Sequence, residues 1–270
     1  MATVNNPTLM RFEDFLASIP LDYYRDELLP VKTVEQDLPP ALNPLPPIYE
    51  SYWMPQQDAP GFPSYEEFFE RWWKSHLEPL DDFIGKYFWG CSRDFVRLGF
   101  KARLYRTLIS VLTQFHFAYT WIACCRLPLE ASADADMNGI DALVRHDDSA
   151  VALQVKKETY RSEARGVGRF AQRKMRVVLV VEVPYTITPP EEWQRRAQRA
   201  KTVHTREQYS AFAFLASQLQ RRLPNGFVVF REEYPRAVER VIAEAIQDER
   251  QGLISWGELL QQIRPWAPTS

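Results

Sequence analysis

The hydrophobic pattern of this chain changes its period after about residue 120, and this change limits the folds that it can adopt. From Arg93 to about Tyr119, apolar residues recur at spacings of three and four, which predicts a long helix with one buried face. Beyond that helix, period-two and continuous apolar runs predict strands. The predicted strands lie at 122–129, 139–144, 150–157 and 176–183, and the last is apolar enough to be central.

The C-terminal part continues with elements of both kinds. The predicted helices lie at 190–201, 207–223, 235–247 and 253–263, with a short strand at 226–230. Helices that are interleaved with strands in this way cover the faces of a sheet. We therefore expect an α/β fold in which a mixed sheet is flanked by helices.

The first 120 residues predict a different kind of structure, which is helical and rich in proline. A short amphipathic helix is predicted at 11–18, and the prolines between 30 and 63 exclude long helices there. Ser64 and Glu67 have the spacing of a capping box, which predicts a helix over 64–76. We expect residues 1–120 to pack as a helical elaboration on a core at 121–270 that includes the C-terminal helices, within one continuous domain.

Composition and charge exclude several classes of protein. The 270 residues carry 33 basic and 35 acidic side chains, a net charge of −2, and 46% are hydrophobic, which excludes a disordered chain. No apolar run is long enough to span a membrane, and Glu13 and Asp14 stand where a signal peptide would be apolar. We therefore expect a cytoplasmic protein with no membrane contact.

The cysteines and His116 could in principle bind a metal, but we interpret them as core residues. Of the three cysteines, Cys124 and Cys125 are adjacent, and this arrangement offers neither a disulfide framework nor the paired spacing of a zinc site. His116 continues the apolar stripe of the long predicted helix. A buried and hydrogen-bonded histidine is the favoured interpretation there.

Charge is distributed unevenly along the chain. Residues 156–206 carry 13 Lys and Arg against 5 Asp and Glu, so this stretch has a local charge of +8. A basic stretch in a mildly acidic protein predicts contact with a polyanion at one surface, although a solvated face has the same composition. Both interpretations stay open at this point.

The strongest candidates for catalytic residues lie on two of the predicted strands. On the third strand, Gln154 and Lys156 alternate with apolar residues and therefore share one face. On the second strand, Ile140 and Ala142 are expected on the buried face, which places Asp141 on the polar one. If the two strands pair as a hairpin, Asp141 meets Gln154 and Lys156 at one edge of the sheet.

These residue types in this arrangement predict a magnesium site next to a proton-handling group. Mg²⁺ takes oxygen ligands, and Asp141, the Gln154 side-chain oxygen and the Val155 backbone carbonyl are the candidates. Lys156 is suited to orient a water molecule and to stabilise charge on a scissile phosphate. The alternative is an ordinary exposed strand face that happens to carry Asp, Gln and Lys.

The residues that follow Lys156 are rich in donors for phosphate. Arg161 is also of the type that reads guanine through O6 and N7. A plain charged helix start has a similar composition. The candidate DNA contacts are Lys157, Tyr160, Arg161, Ser162 and Arg169.

Several segments together resemble the TaqI restriction endonuclease family, and they span most of the chain. They are KTVEQDLP at 32–39, KYFWGCS at 86–92, ARLYRT at 102–107, TQFHF at 113–117, GIDAL at 139–143 and KKETYRSEA at 156–164. The resemblance implies a type II restriction endonuclease with a PD-(D/E)XK core. It also implies recognition of the palindrome 5′-TCGA-3′, cleavage between T and C on each strand with Mg²⁺, and a partner methyltransferase that protects host DNA.

The resemblance assigns expected roles to four positions. Asp141 matches the first acid of the motif, Gln154 stands where the second acid usually is, and Lys156 is the motif lysine. Asp136 matches a further aspartate that is associated with activity. Since a palindrome is most simply cut by two copies of one site, we expect a homodimer on double-stranded DNA.

Functions of other classes remain as alternatives. A nuclease with the same core could act in repair or on branched DNA, which cleavage restricted to one short sequence would exclude. A non-catalytic DNA-binding protein would carry Gln154 as the mark of a decayed site. An α/β scaffold without DNA affinity is the third alternative.

Overall fold

The computed structural model describes residues 6–53, 61–146, 149–158 and 176–264. The chain divides into two compact units. One comprises 1–10, 116–223 and 228–270, and the other comprises 11–115 and 224–227. The packing of residues 1–120 on a core at 121–270 as one continuous domain stays a prediction.

The helices of the first half confirm most of the predicted pattern. They are α1 (Pro7–Ser18), α2 (Leu21–Leu28), α3 (Leu45–Tyr52), α4 (Tyr65–Ser75), α5 (Leu77–Tyr87) and α6 (Arg93–Cys124), with a 3₁₀ turn at Pro40–Leu42. The capping box is present, since Ser64 Oγ accepts a hydrogen bond from Glu67 N and Glu67 Oε2 accepts one from Ser64 N. Helices α2, α3 and α5 were not predicted. None of the described helices, α6 included, is long and apolar enough to cross a membrane.

The strand predicted at 122–129 is wrong, because α6 continues to Cys124 and only Leu129–Glu130 form a strand, β1. The aromatic residues Phe117 and Trp121 are one helical turn apart and both are buried, so the apolar stripe of the helix extends past 120. Trp121 Nε1 also donates to Leu127 O at 2.9 Å, which holds the chain as it leaves the helix.

The second half forms a five-stranded mixed sheet, whose strands in order are β1, β2 (Ala142–His146), β3 (Ser149–Lys157), β4 (Arg176–Tyr185) and β7 (Gly252–Ile254). Strand β2 (Ala142–His146) is antiparallel to β1 and β3, whereas β4 is parallel to β3 and β7. The predictions for β3 (Ser149–Lys157) and β4 (Arg176–Tyr185) are confirmed within two residues. Strand β4 has a neighbour on each side, although the middle position belongs to β3.

Short helices and strands complete this half, and two of the predicted helices have wrong boundaries. The elements are α7 (Ala133–Met137), α8 (Pro190–Arg199), α9 (Val203–Phe214), β5 (Gln220–Arg222), β6 (Val228–Phe230), α10 (Glu233–Gln247), β7 (Gly252–Ile254) and α11 (Trp256–Ile263). The helix predicted over 207–223 ends in a π turn at Leu215–Leu219, because Gln220 pairs with Phe230 in a two-stranded sheet. Residues predicted as the start of the last helix instead form β7, which pairs with β4.

Alternation along the sheet separates two apolar faces. Ala142, Leu153 and Val181 belong to the larger core cluster, together with residues of α10 and α11. Leu143 and Ala152 belong to a smaller cluster on the opposite face. Because this second cluster is small, the same face has room for polar side chains farther along β3 and β4.

Candidate active site

A row of polar side chains crosses three strands on the face of the smaller cluster. Asp141 immediately precedes β2, and its N–H donates to Leu153 O at 3.0 Å, which places it opposite Gln154. Gln154 is in turn paired with Glu182 of β4. Lys156 follows two residues after Gln154 and lies on the same face. The structure therefore brings together Asp141, Gln154 and Lys156, and adds Glu182.

Asp141 is held against the backbone of β3. Its Oδ2 accepts a hydrogen bond from Val155 N at 2.5 Å. Burial raises the pKa of Asp141 well above its usual range, and the negative charge of Asp136 raises it further. The hydrogen bond from the Val155 N–H and the positive charge of Lys156 lower the pKa of Asp141, but by less. The carboxyl group is thus desolvated and close to a second carboxyl group.

Asp136 is placed by the turn between α7 and β2. Gly139 N donates to Asp136 O at 2.8 Å, and Gly139 has a φ of 77°, a conformation that favours glycine. The chain then bends so that Ile140 N donates to Ala135 O, and Ile140 joins the smaller cluster. The prediction that Ile140 shares a face with Ala142 is therefore wrong, since regular alternation begins only after the turn.

The Gln154 amide has a structural partner that a carboxylate could not have. Its Nε2 donates to Gly139 O at 2.6 Å. A glutamate at this position would set a carboxylate oxygen against a carbonyl oxygen, and both are acceptors. The amide therefore fits the turn, and its oxygen is the atom left to face a cation.

Lys156 forms an ion pair with Glu182, a residue that was not predicted at the site. Its Nζ lies 3.0 Å from Glu182 Oε1, while Glu182 Oε2 accepts a hydrogen bond from Trp256 N at 3.3 Å. The Glu182 side chain is 19% exposed and that of Lys156 is 49% exposed, so the acid is the better-buried partner. The signal that could have identified Glu182 is its place as the single carboxylate in a strand of mainly apolar residues.

The structure describes two of the other residues that the sequence singled out, Lys157 and His116. Lys157 is exposed at the end of β3, where it is paired with Tyr185. His116 is fully buried, and its Nδ1 accepts a hydrogen bond from Phe230 N at 3.3 Å, so its interpretation as a core residue is confirmed. The candidate DNA contacts Tyr160, Arg161, Ser162 and Arg169 lie outside the described residues.

The donor set is consistent with one magnesium ion. Within the described ranges no group of three His, Cys, Asp or Glu side chains is arranged to hold a metal. Mg²⁺ commonly binds one or two carboxylates and takes its other ligands from water and substrate phosphate. The proximity of Asp136 and Asp141, which raises the pKa of Asp141, is an arrangement that a divalent cation would relieve. The residues present therefore fit the ion.

Comparisons with known proteins agree along nearly the whole chain. The model of a family described as TaqI restriction endonuclease matches residues 9–242. The chain is 49% identical over 261 residues to type II restriction enzyme TaqI of Thermus aquaticus, which covers 97% of each chain. It is also 49% identical over 254 residues to type II restriction enzyme TthHB8I of Thermus thermophilus, which covers 94% of this chain and 95% of that protein. No solved structure matches.

Proposed function

This chain belongs to the TaqI restriction endonuclease family and is a type II restriction enzyme, a site-specific deoxyribonuclease, and on that basis we propose the target and cofactor of its reaction. It hydrolyses both strands of duplex DNA at 5′-TCGA-3′, between T and C, with Mg²⁺. The observation that carries this proposal is the polar row in which Asp141 and Lys156 lie on neighbouring strands. The same placement supports a PD-(D/E)XK core.

Four groups are proposed to hold the ion: the carboxylates of Asp136 and Asp141, the side-chain oxygen of Gln154 and the backbone carbonyl of Val155. When bound there, Mg²⁺ supplies Lewis acidity toward the phosphate and lowers the pKa of water. The hydrogen bond from the Val155 N–H to Asp141 Oδ2 supports this assignment, because it holds the carboxylate beside the Val155 carbonyl.

Lys156 is proposed to contact the scissile phosphate or the attacking water. A positive charge placed where negative charge develops stabilises the transition state. Glu182 is proposed as a positioning residue, because it holds the Lys156 ammonium while its second oxygen is fixed by the first residue of α11. This ion pair limits the conformations of a long side chain that is otherwise half-exposed.

The partners are proposed from the substrate. Both strands of a palindrome are cut most simply by a homodimer, and host DNA with the same sequence requires protection by a cognate methyltransferase. Lys157 is proposed to contact DNA, together with Tyr160, Arg161, Ser162 and Arg169. We propose that the enzyme acts in the cytoplasm, together with the DNA that it cuts.

The test is digestion of a mapped plasmid with Mg²⁺, followed by sequencing of the fragment ends. Uniform ends at T^CGA, absent with EDTA and absent for Lys156→Ala, would support target, cofactor and lysine together. Uniform ends at another sequence would overturn the proposed target. Cleavage without sequence preference would favour a repair or branched-DNA nuclease, and binding without cleavage would favour a decayed site at Gln154.

A further inference from the structure

A positively charged cavity lies just beyond the end of β4, apart from the polar row. Its volume is about 470 Å³. Its polar lining consists of Arg221, Arg222 and Arg231, the hydroxyl-bearing residues Thr186, Thr188 and Ser217, and Gln220. Among the described residues that line it, none is a carboxylate. Guanidinium groups, hydroxyls and an amide are the groups that bind phosphate oxygens.

Two lining residues have donor groups with no acceptor among the described residues. Gln220 is 2% exposed, and its Nε2 has no hydrogen-bond partner among the described residues, although its Oε1 accepts from Thr186 N at 3.3 Å. A buried N–H without a partner is costly and calls for a ligand or an ordered water. Arg231 is exposed, and its Nε donates to Gln220 O at 3.0 Å. Within the described part of the chain Arg231 forms no ion pair.

The cavity adjoins the strand pair that carries the active-site lysine. Tyr185, the last residue of β4, is paired with Lys157, and its carbonyl accepts a hydrogen bond from Glu158 N at 2.9 Å. Thr186 follows directly and lines the cavity. Thr188 also lines it, and its hydroxyl donates to Glu158 Oε1 at 3.5 Å, which connects this wall of the cavity to the end of β3.

We propose that this cavity binds a phosphate oxyanion, and that in the DNA complex the anion is a backbone phosphodiester of the duplex away from the cleaved bond. The proposal rests on duplex DNA being the substrate but not on the TCGA target. Such a contact would fix the orientation of the duplex over Lys156, since backbone contacts set register without reading sequence.

The experiment compares metal-free DNA binding of Arg231→Gln and Arg221→Gln with that of the unaltered enzyme over a series of salt concentrations. The matched control is Arg240→Gln, an exposed arginine on α10, whose apolar residues pack on the other face of the sheet. We expect each cavity variant to bind about tenfold more weakly at low salt and to lower the log–log salt slope by about 0.9, the value for one lost phosphate contact. We expect Arg240→Gln to keep the DNA affinity and the salt slope of the unaltered enzyme.

Two further measurements distinguish the possible outcomes. Equal affinity and slope for both cavity variants and the unaltered enzyme would overturn the proposal. If inorganic phosphate raises the melting temperature of the unaltered enzyme but not of Arg231→Gln, while DNA binding is equal, the oxyanion is free phosphate and the assignment to DNA is wrong. The binding series is measured with a duplex that contains TCGA and with one that lacks it. If TCGA is not the target, the salt slope on the second duplex still tests the phosphate contact.

Discussion

At the scale of single residues, the site combines a desolvated acid with a paired lysine. Asp141 is close to Asp136 and to the backbone of β3, while Lys156 is held from the other side by Glu182. The groups proposed to hold the ion and the group proposed to contact the phosphate are thus fixed by different strands. Substitutions can therefore separate their contributions.

Lys156→Ala is expected to lower the cleavage rate by about 10²-fold or more, because it removes the charge that stabilises the developing phosphate charge. The measurement is single-turnover cleavage of a TCGA duplex under saturating enzyme. Lys74→Ala is the matched control, since it removes an exposed ammonium from α4, a helix to which no role in the reaction is assigned. Equal losses in both variants would contradict a specific role for Lys156.

Glu182→Gln is expected to lower kcat about tenfold and to leave KM for DNA unchanged, because the lysine keeps its charge but loses its fixed position. Trp256 N keeps an acceptor in the glutamine side chain, so the melting temperature should change little. Glu182→Asp, which retains the charge, should recover part of the loss. A rise in KM with unchanged kcat would argue against positioning.

Asp141→Asn is expected to abolish cleavage while the metal-free protein remains as stable as before or becomes more stable. Burial and Asp136 both disfavour the charged carboxylate, and an amide oxygen can still accept from Val155 N. Urea unfolding at pH 7 without metal measures the change. A large loss of stability would show that the carboxylate serves the fold rather than the reaction.

At the scale of elements, α11 links packing to the site. Its first residue, Trp256, donates to Glu182, and Ser255 Oγ caps the helix by accepting from Glu258 N at 3.4 Å. Arg250 lies before the helix and binds both carboxylate oxygens of Glu258, at 2.6 and 2.9 Å. The start of α11 is therefore fixed by a cap and an ion pair at the point where it meets the site.

The Arg250–Glu258 pair predicts a pH dependence of stability. The Arg250 hydrogen bonds and charge lower the pKa of Glu258, so the folded state favours the ionised carboxylate. Its contribution is present above the ordinary carboxyl pKa of about 4.3 and is lost as the pH falls through the lower folded value. Glu258→Gln should cost about 0.5 kcal/mol at pH 7 and less at about pH 3, which lies below the ordinary carboxyl pKa. Denaturant unfolding at both values, with Glu244→Gln as control, checks this.

At the scale of the whole molecule, two copies of the chain are expected on one palindromic duplex. The measurement is sedimentation equilibrium with a TCGA duplex and Ca²⁺ in place of Mg²⁺, for which we expect a mass of two chains and one duplex. Mixtures of unaltered enzyme and Lys156→Ala should then nick one strand. A one-to-one complex with full double-strand cleavage would contradict the dimer.

Elements that depend on short-range patterns could be predicted from the sequence. The α4 cap, the length of β3 and the apolar β4 follow from hydrogen bonds and side-chain alternation within about ten residues, and so does the shared face of Gln154 and Lys156. Features that depend on distant residues became known only from the tertiary structure. Glu182 lies at the site only because β4 pairs in parallel with β3. Helix α6 extends past residue 120 because the Trp121 side chain is buried in the core. Both contacts join residues that are far apart in the sequence, so the local hydrophobic period does not predict them.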